Sequence, residues 1–321
     1  MRHALLRLVA VSLALTLTGL AEAQAFPTRP VTVVVPYTPG GVTDLYARAV
    51  SAKLAERWGQ PVNVENRGGA GTVIGTQAAA AAAPDGHTIL LASYAYTSNQ
   101  VLMKKLPYEP SALTPLLLLG TSSNILVVNP ALPVADLKSV IALAKSAPGA
   151  LKLASSGNGS SPHVAAELFA ATIGAEITHV PYKGTAPAMN DVYGGQLHGI
   201  FDGPSSMHNV RNGKLRAIAV ASAERHPFAM EVPTFRELGV DFVFGSWFGF
   251  FVPKDVPPAL QKKLYDDLRW AIDQPDTRAQ IGKGGLRLQN MTQAEFKAFL
   301  DAELAKLKRL TERAGAKFHI E

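Results

Sequence analysis

The chain has 321 residues, with 31 Lys and Arg against 25 Asp and Glu, and no Cys. The lack of Cys excludes disulfides, thiolate catalysis and thiol-ligated metals, so stability must come from a buried core. The basic excess is slight and no Lys/Arg run is interleaved with aromatics, which argues against a nucleic-acid partner, whereas a modest positive field suits small anions.

Residues 1–25 read as an export signal. Arg2, His3 and Arg7 make a basic start, and the apolar run over residues 8–20 is too short to span a bilayer. Ala21-Glu22-Ala23 and Ala23-Gln24-Ala25 are both small-x-small sites, so cleavage is expected after Ala23 or Ala25, leaving a mature exported chain with no second long apolar run. The remaining ~300 residues exceed one ordinary core and suggest two lobes.

Val31–Val35 is a continuous β-branched run, suited to a strand buried on both faces. Pro36 ends it, and Tyr37-Thr38-Pro39-Gly40-Gly41 follows. A helical pattern begins at Thr43, with Thr43 or Asp44 as its cap and Leu45, Ala49 and Ala52 on one face. Strand, glycine loop and helix start in that order turn free N–H groups and the positive end of a helix dipole toward one spot, a place for a small anion. The plainer reading is that the two glycines only make a tight turn.

Further on, residues 59–67 predict a turn and short strand, 72–83 a helix, and 87–92 a strand running into the polar stretch Ser93-Tyr94-Ala95-Tyr96-Thr97-Ser98-Asn99. The βαβαβ alternation predicts a parallel sheet, with ligands beyond the carboxyl ends of its strands. Apolar runs at 116–119 and 125–128 precede a helix over 136–146 with Asp136 as N-cap. A strand at 151–154, the loop Ser155–His163 and a helix at 164–173 repeat the strand, Gly/Ser loop, helix order. Strands at 177–180, 197–201 (ending at Asp202) and 215–221, with Pro187 in a helix's first turn, complete a second α/β unit. Residues 247–252 look like a return strand into the first lobe, followed by helices over 259–274 and from 292 or 293 to about 315.

The segments VVVPYTPGGVTDLYAR, GQPVNVENRGGAGTVIG, APDGHTIL, SSGNGSSPHVAAELF, HVPYKGTAPAMNDVYGGQLHGIFD and VPTFRELG stand in this order. Together they resemble the substrate-binding receptors of tripartite tricarboxylate transporters, the Bug family, over essentially the whole mature chain. The resemblance implies an α/β, two-lobed periplasmic-binding-protein type II fold with two strand crossovers, near 125–129 and 245–252. Lobe 1 would hold 26–125 plus 247–321 and lobe 2 would hold 126–246. It implies a monomeric receptor that holds a small organic carboxylate between the lobes, without a cofactor, and hands it to permease subunits in the membrane. In lobe 1 the expected ligand residues are Tyr37, Thr38, Gly40, Gly41 and Thr43, with Ser93, Tyr94 and Ser98 beside them. In lobe 2 they are Ser156, Asn158, Ser160, His163, Thr185 and Asp202. Tyr37-Thr38, Gly68 and Thr72-Val73 depart from the family's usual residues, and the change at position 37 bears on which ligand is held.

Several of these residues have a second reading. Asp202 could be a turn carboxylate or a partner for a ligand amine or hydroxyl, since an ionised Asp repels a second ligand carboxylate. His163 could touch ligand or orient the Ser/Gly loop. Asp44 fits a loop brace, Trp247 hinge packing, and Lys183 a solvated charge. One or two of the loop serines would cap a helix. Enzyme readings lack a visible nucleophile: there is no G-x-S-x-G, no P-loop and no H-E-x-x-H. A secreted enzyme using Asp202 or His163, and a ligand-sensing receptor for a signalling partner, are the alternatives to a transport receptor.

Overall fold

The computed structural model describes residues 26–314. The export signal expected over 1–25 lies outside the described residues. In chain order, β1 (Val31–Val35), α1 (Val42–Trp58), β2 (Val62–Asn66), α2 (Val73–Ala80), β3 (Thr88–Ser93), α3 (Ala95–Leu102) and β4 (Leu113–Ser123) come first. β5 (Ile125–Val128), α4 (Leu137–Ser146), β6 (Leu151–Ser155), α5 (Ser161–Ile173), β7 (Ile177–Pro181), α6 (Thr185–Tyr193), β8 (Gly199–Asp202), α7 (Met207–Arg211) and β9 (Arg216–Val220) build the second unit. The chain returns through β10 (Gly245–Pro253), α8 (Pro258–Asp273), α9 (Pro275–Lys283), β11 (Arg287–Leu288) and α10 (Gln293–Ala314).

Two sheets result. The first has the order β11-β4-β10-β3-β1-β2 and the second β7-β6-β8-β5-β9. β1 lies parallel between β2 and β3, with Val33 opposite Val64 and Ile89, and is almost wholly buried, as its β-branched run requires. The sheet is mixed, however, not parallel throughout. β10 arrives from the other lobe and runs antiparallel to both β3 and β4, so the crossover sets its direction. β5 is likewise antiparallel to β8 and β9.

The change of sheet falls at Asn124. Ile125 pairs with Asp202 and Val220, so it belongs to the second lobe rather than the first. Gly245 and Ser246 pair with Ser123 and Ser122, which puts them in the first sheet. Main-chain bonds tie the crossovers together: Ala221 N donates to Asn124 O at 2.7 Å, Asn124 N to Phe244 O at 3.2 Å, and Phe244 N to Ala221 O at 3.0 Å.

Three local expectations are corrected. α1 is capped by Gly41 with no side-chain cap bond, and it buries Tyr46, Ala47, Val50 and Leu54, while Ala52 is exposed. The helix starts one residue before Thr43, and the large Tyr46 ring, fully buried, fixes which face turns inward. The polar stretch after β3 is helical from Ala95, so Ser98 projects from α3 rather than a loop. Pro275 opens α9, a helix that the sequence reading left out; Pro is favourable at a first helical position. The Asp136 cap does form, as a capping box in which Ser139 N donates to Asp136 Oδ1 at 2.8 Å, a device worth about 1 kcal/mol.

The core explains how the lobes stay joined. One apolar cluster lies between the first sheet, α1 and α8, around Tyr46, Leu54, Phe250 and Leu264. A second fills lobe 2 around Ile125, Ile200 and Met207. The third runs through both lobes, from Phe251, Phe296 and Trp247 to Phe169, Phe201 and Phe235. Trp247 is therefore part of the packing at the hinge, edge-on to Phe296 with ring centroids 6.1 Å apart.

Candidate functional site

The carboxyl ends of β1 and β3 face the lobe 2 loops across a cleft. In lobe 1, the Tyr37 hydroxyl and Ser93 Oγ are 2.7 Å apart, which ties the two strand ends together. Burial pushes the Tyr37 hydroxyl up to about 12, so it stays protonated and able to donate. Gly40 has a positive φ of 90°, and its N–H donates to Asp44 Oδ2 at 3.1 Å. Burial raises the Asp44 carboxyl, but hydrogen bonds from Arg48, Gly40 and Asn66 outweigh it and hold the group below the usual carboxylate range. Asp44 is thus a brace for the glycine loop. Its carboxylate folds back on Gly40 while Gly41, Val42 and Thr43 line the cavity.

Lobe 2 presents two helix starts to the same space. Ser161 and Pro162 come from the N-terminus of α5 and Thr185 from that of α6. A Cβ added at Gly41 would lie 3.9 Å from Thr185 Cβ, so the α1 and α6 N-termini face each other at close range. Asp202, at the end of β8, is buried and accepts hydrogen bonds from the Ser206 hydroxyl and Gly203 N–H. Burial outweighs those bonds and raises its pKa. The cavity between these groups measures about 50 Å³, room for a few water-sized groups and hence for a small molecule only. Among the described residues, its lining holds no Lys, Arg or His; Asp202 is its only carboxylate. The partial positive charge offered to the cavity is that of helix N-termini, not of side-chain cations.

Of the expected ligand residues, Tyr37, Gly41, Thr43, Ser93, Ser156, Thr185 and Asp202 come together around this cavity. The others do not line it. Thr38 and Asn158 line a separate, wider groove of about 590 Å³, also between residues of the two lobes. Tyr94 is packed into the core, edge-on to Phe244 at 5.1 Å. Ser98 donates to the Gly159 carbonyl and so clasps the two lobes. Ser160 holds the N-cap position of α5, but its hydroxyl makes no cap bond. Gly40 serves the turn. The Lys183 carbonyl accepts from Thr38 N at 3.1 Å, so its main chain, not its ammonium, meets the other lobe.

His163 supports the loop from below. Its Nδ1 accepts from Gly159 N at 3.0 Å, and its ring stacks on His179 with centroids 4.0 Å apart. His179 Nε2 and Ser155 Oγ are 2.6 Å apart, and Ser155 Oγ accepts from Gly157 N at 3.1 Å. Burial lowers His163 to about 4; burial and then the neighbouring His163 lower His179 to about 3. Both rings are neutral at pH 7. With Glu167 they form the one cluster of metal-ligand type among the described residues, each offering an atom within 4.8 Å of the others. The rings are 21° from parallel, which points their in-plane lone pairs side by side instead of toward one ion, and His163 Nδ1 is already occupied. The group is built as a brace.

The sequence reading missed several lining residues: Tyr46, Ser122, Ser123, Asn124, Ser246 and Gly284. The Tyr46 hydroxyl donates to Gly284 O at 3.0 Å, which brings the α9–β11 turn to the cavity. Ser161 Oγ donates to Asn124 Oδ1 at 2.9 Å, joining the α5 start to the hinge. The hinge serines had one sequence signal, a Ser-Ser-Asn cluster between two apolar runs.

Two sheets joined by crossover strands, with converging loops at the cleft between them, define a two-lobed binding protein of the periplasmic type. The Tripartite tricarboxylate transporter family receptor model matches residues 46–316, and the chain belongs to that family. It is 35% identical to the protein BugT of Bordetella pertussis over 301 residues, 92% of each chain. Among solved structures, periplasmic binding protein BugD aligns with a TM-score of 0.86 at 31% identity, covering 90% of this chain and 99% of that one. MatC from Rhodopseudomonas palustris, with bound malate, aligns with a TM-score of 0.85 at 32% identity, covering 89% and 99%.

Proposed function

We propose that this chain is a periplasmic receptor that captures a small organic carboxylate between its lobes and delivers it to the permease subunits of a tripartite tricarboxylate-type transporter. One observation carries the reading: the N-termini of α1, α5 and α6 converge on a small cavity lined by hydroxyls and free of cationic side chains. Such an array binds a carboxylate through N–H and O–H donors preorganised by the fold. MatC, similar in fold and 32% identical, holds malate. On this reading the receptor acts as a monomer and binds its ligand without turnover.

Asp202 refines the ligand class. Its raised pKa favours the protonated form, and no lining cation could offset a ligand carboxylate placed beside its ionised form. A ligand hydroxyl or amine suits Asp202 in its ionised form, whereas its protonated form can itself donate to the second carboxylate of a dicarboxylate such as the malate held by MatC.

Thermal unfolding against a panel of hydroxy-, amino- and unsubstituted mono- and dicarboxylates tests this. A true ligand at about 100 times its Kd adds roughly 2.7 kcal/mol of stability. A panel that leaves the unfolding midpoint unmoved, or conversion of any member to product, would overturn the proposal.

A further inference from the structure

The two crossover strands have a second face, turned away from the cleft. There, residues of β4 and β10, Arg287 of β11 and one face of α10 enclose a separate cavity of about 200 Å³. Phe299, Glu303 and Lys306 recur along α10 at the spacing of one helix face and form its outer wall. Trp247 lines the inner wall.

The polar groups of this cavity are donors in excess. Trp247 is 1% exposed, and its Nε1–H has no hydrogen-bond partner. Ser122 Oγ also lacks one, but the strand register, with Ser122 opposite Ser246 and Trp247 opposite Thr121, turns it to the other face of the sheet, toward Gly203 and the cleft. Arg287 makes no ion pair or side-chain hydrogen bond with any described residue. Glu303 is the one acidic wall residue, and Lys306 Nζ lies 3.4 Å from its Oε1, which neutralises it. A guanidinium and a buried indole N–H with no acceptor of their own match an acidic oxygen cluster.

We propose that this hinge cavity is a second ligand site, for a small oxyanion of carboxylate or phosphate type. Arg287 supplies the charge, Trp247 Nε1–H supplies a directed donor, and the Trp247 and Phe299 rings supply apolar walls. Ser122, Ser123 and Ser246 line this cavity and the cleft alike. An occupant therefore rests on the strands that must flex when the lobes move, so it changes cleft affinity, and a cleft ligand changes its affinity by the same factor.

Equilibrium dialysis at constant ionic strength, with labelled inorganic phosphate in one arm and labelled acetate in the other, tests the site on the full mature chain. A saturable site is expected in at least one arm, and the arm that responds names the source of the oxyanion. In Arg287→Ala, a variant at an exposed side chain, its affinity should fall roughly tenfold or more, the usual effect of losing a hydrogen bond to a charged group. Lys306→Ala should weaken it in the same direction. Gly41→Ile, which fills the cleft, should leave it in place. No saturable binding in either arm, equal binding in Arg287→Ala, or a site lost in Gly41→Ile would each overturn the proposal.

Discussion

Thr38 and Lys183 join the two lobes main chain to main chain, the Thr38 N–H donating to the Lys183 carbonyl at 3.1 Å. The Ser98 hydroxyl makes a second clasp on the Gly159 carbonyl. Both bonds use backbone carbonyls of lobe 2 loops, which are positioned by strands β6 and β7 and by the helices that follow. The approach of the lobes is therefore set by backbone geometry, and a ligand favours it only by touching both sides at once.

Gly184 makes that approach possible. A Cβ there would lie 2.3 Å from Thr38 Oγ1 and 3.2 Å from Thr38 N. Its φ of 162° is ordinary extended backbone. Gly184→Val should therefore fold normally yet hold the lobes apart. Calorimetric titration with a ligand found by thermal shift should show affinity reduced by about tenfold or more, roughly 1.4 kcal/mol. Unchanged affinity would show that binding does not need the lobes to meet at Thr38.

Gly41 should respond by size. A Cβ meets nothing closer than 3.9 Å, and the residue's φ of −86° suits any side chain. Gly41→Ala should be mild, whereas Gly41→Ile places a branched chain between the α1 and α6 N-termini and should weaken binding by more than about tenfold. Equal affinities for the two variants would sink the anion-cradle assignment.

Asp202→Asn separates binding from stability. Because burial raises the native Asp202 pKa, the native state holds its proton more tightly than the unfolded chain does. That stability is present below the ordinary carboxylate pKa of 3.8 and is lost as pH rises through the native value. Above that window the ligand-free Asn variant should unfold at a higher temperature than wild type, and the gain should vanish on acidification. Affinity for hydroxy- or amino-carboxylates should fall at the same time. If every such ligand binds as before, Asp202 has only a structural role.

The stacked histidines act in the opposite sense. Burial depresses His163 to about 4 and, with the charge of His163, His179 to about 3. Their contribution is full above the ordinary value of 6.5 and is lost as pH falls toward 4. The unfolding midpoint should drop across that range, and His163→Gln should flatten the drop. A variant with the wild-type pH profile would remove His163 from the account.

The order of elements was legible in the sequence because it rests on local rules. A β-branched run ended by Pro gave β1, and an Asn-Pro stop gave β5; Asp136 gave the start of α4; and glycine- and serine-rich turns marked the loops that reach the cleft. Tyr37, Gly41, Ser156 and Thr185 were found because each lies within a few residues of a strand end and a helix start. Tyr46, Ser246 and Gly284 were missed for the converse reason. They reach the cavity only because α1 rolls its tyrosine inward, β10 inserts between β3 and β4, and the α9–β11 turn folds back on α1.

The sequence by itself determined most strands and helices, the family resemblance and the two glycine- and serine-rich loops, since these depend on residues adjacent in the chain. Only the tertiary structure decided which loops share a cavity, that this cavity lacks side-chain cations, and that His163 props a loop while Tyr94 packs in the core. Such outcomes depend on strand order and on burial from the far side of the sheet, and no short window of residues encodes either.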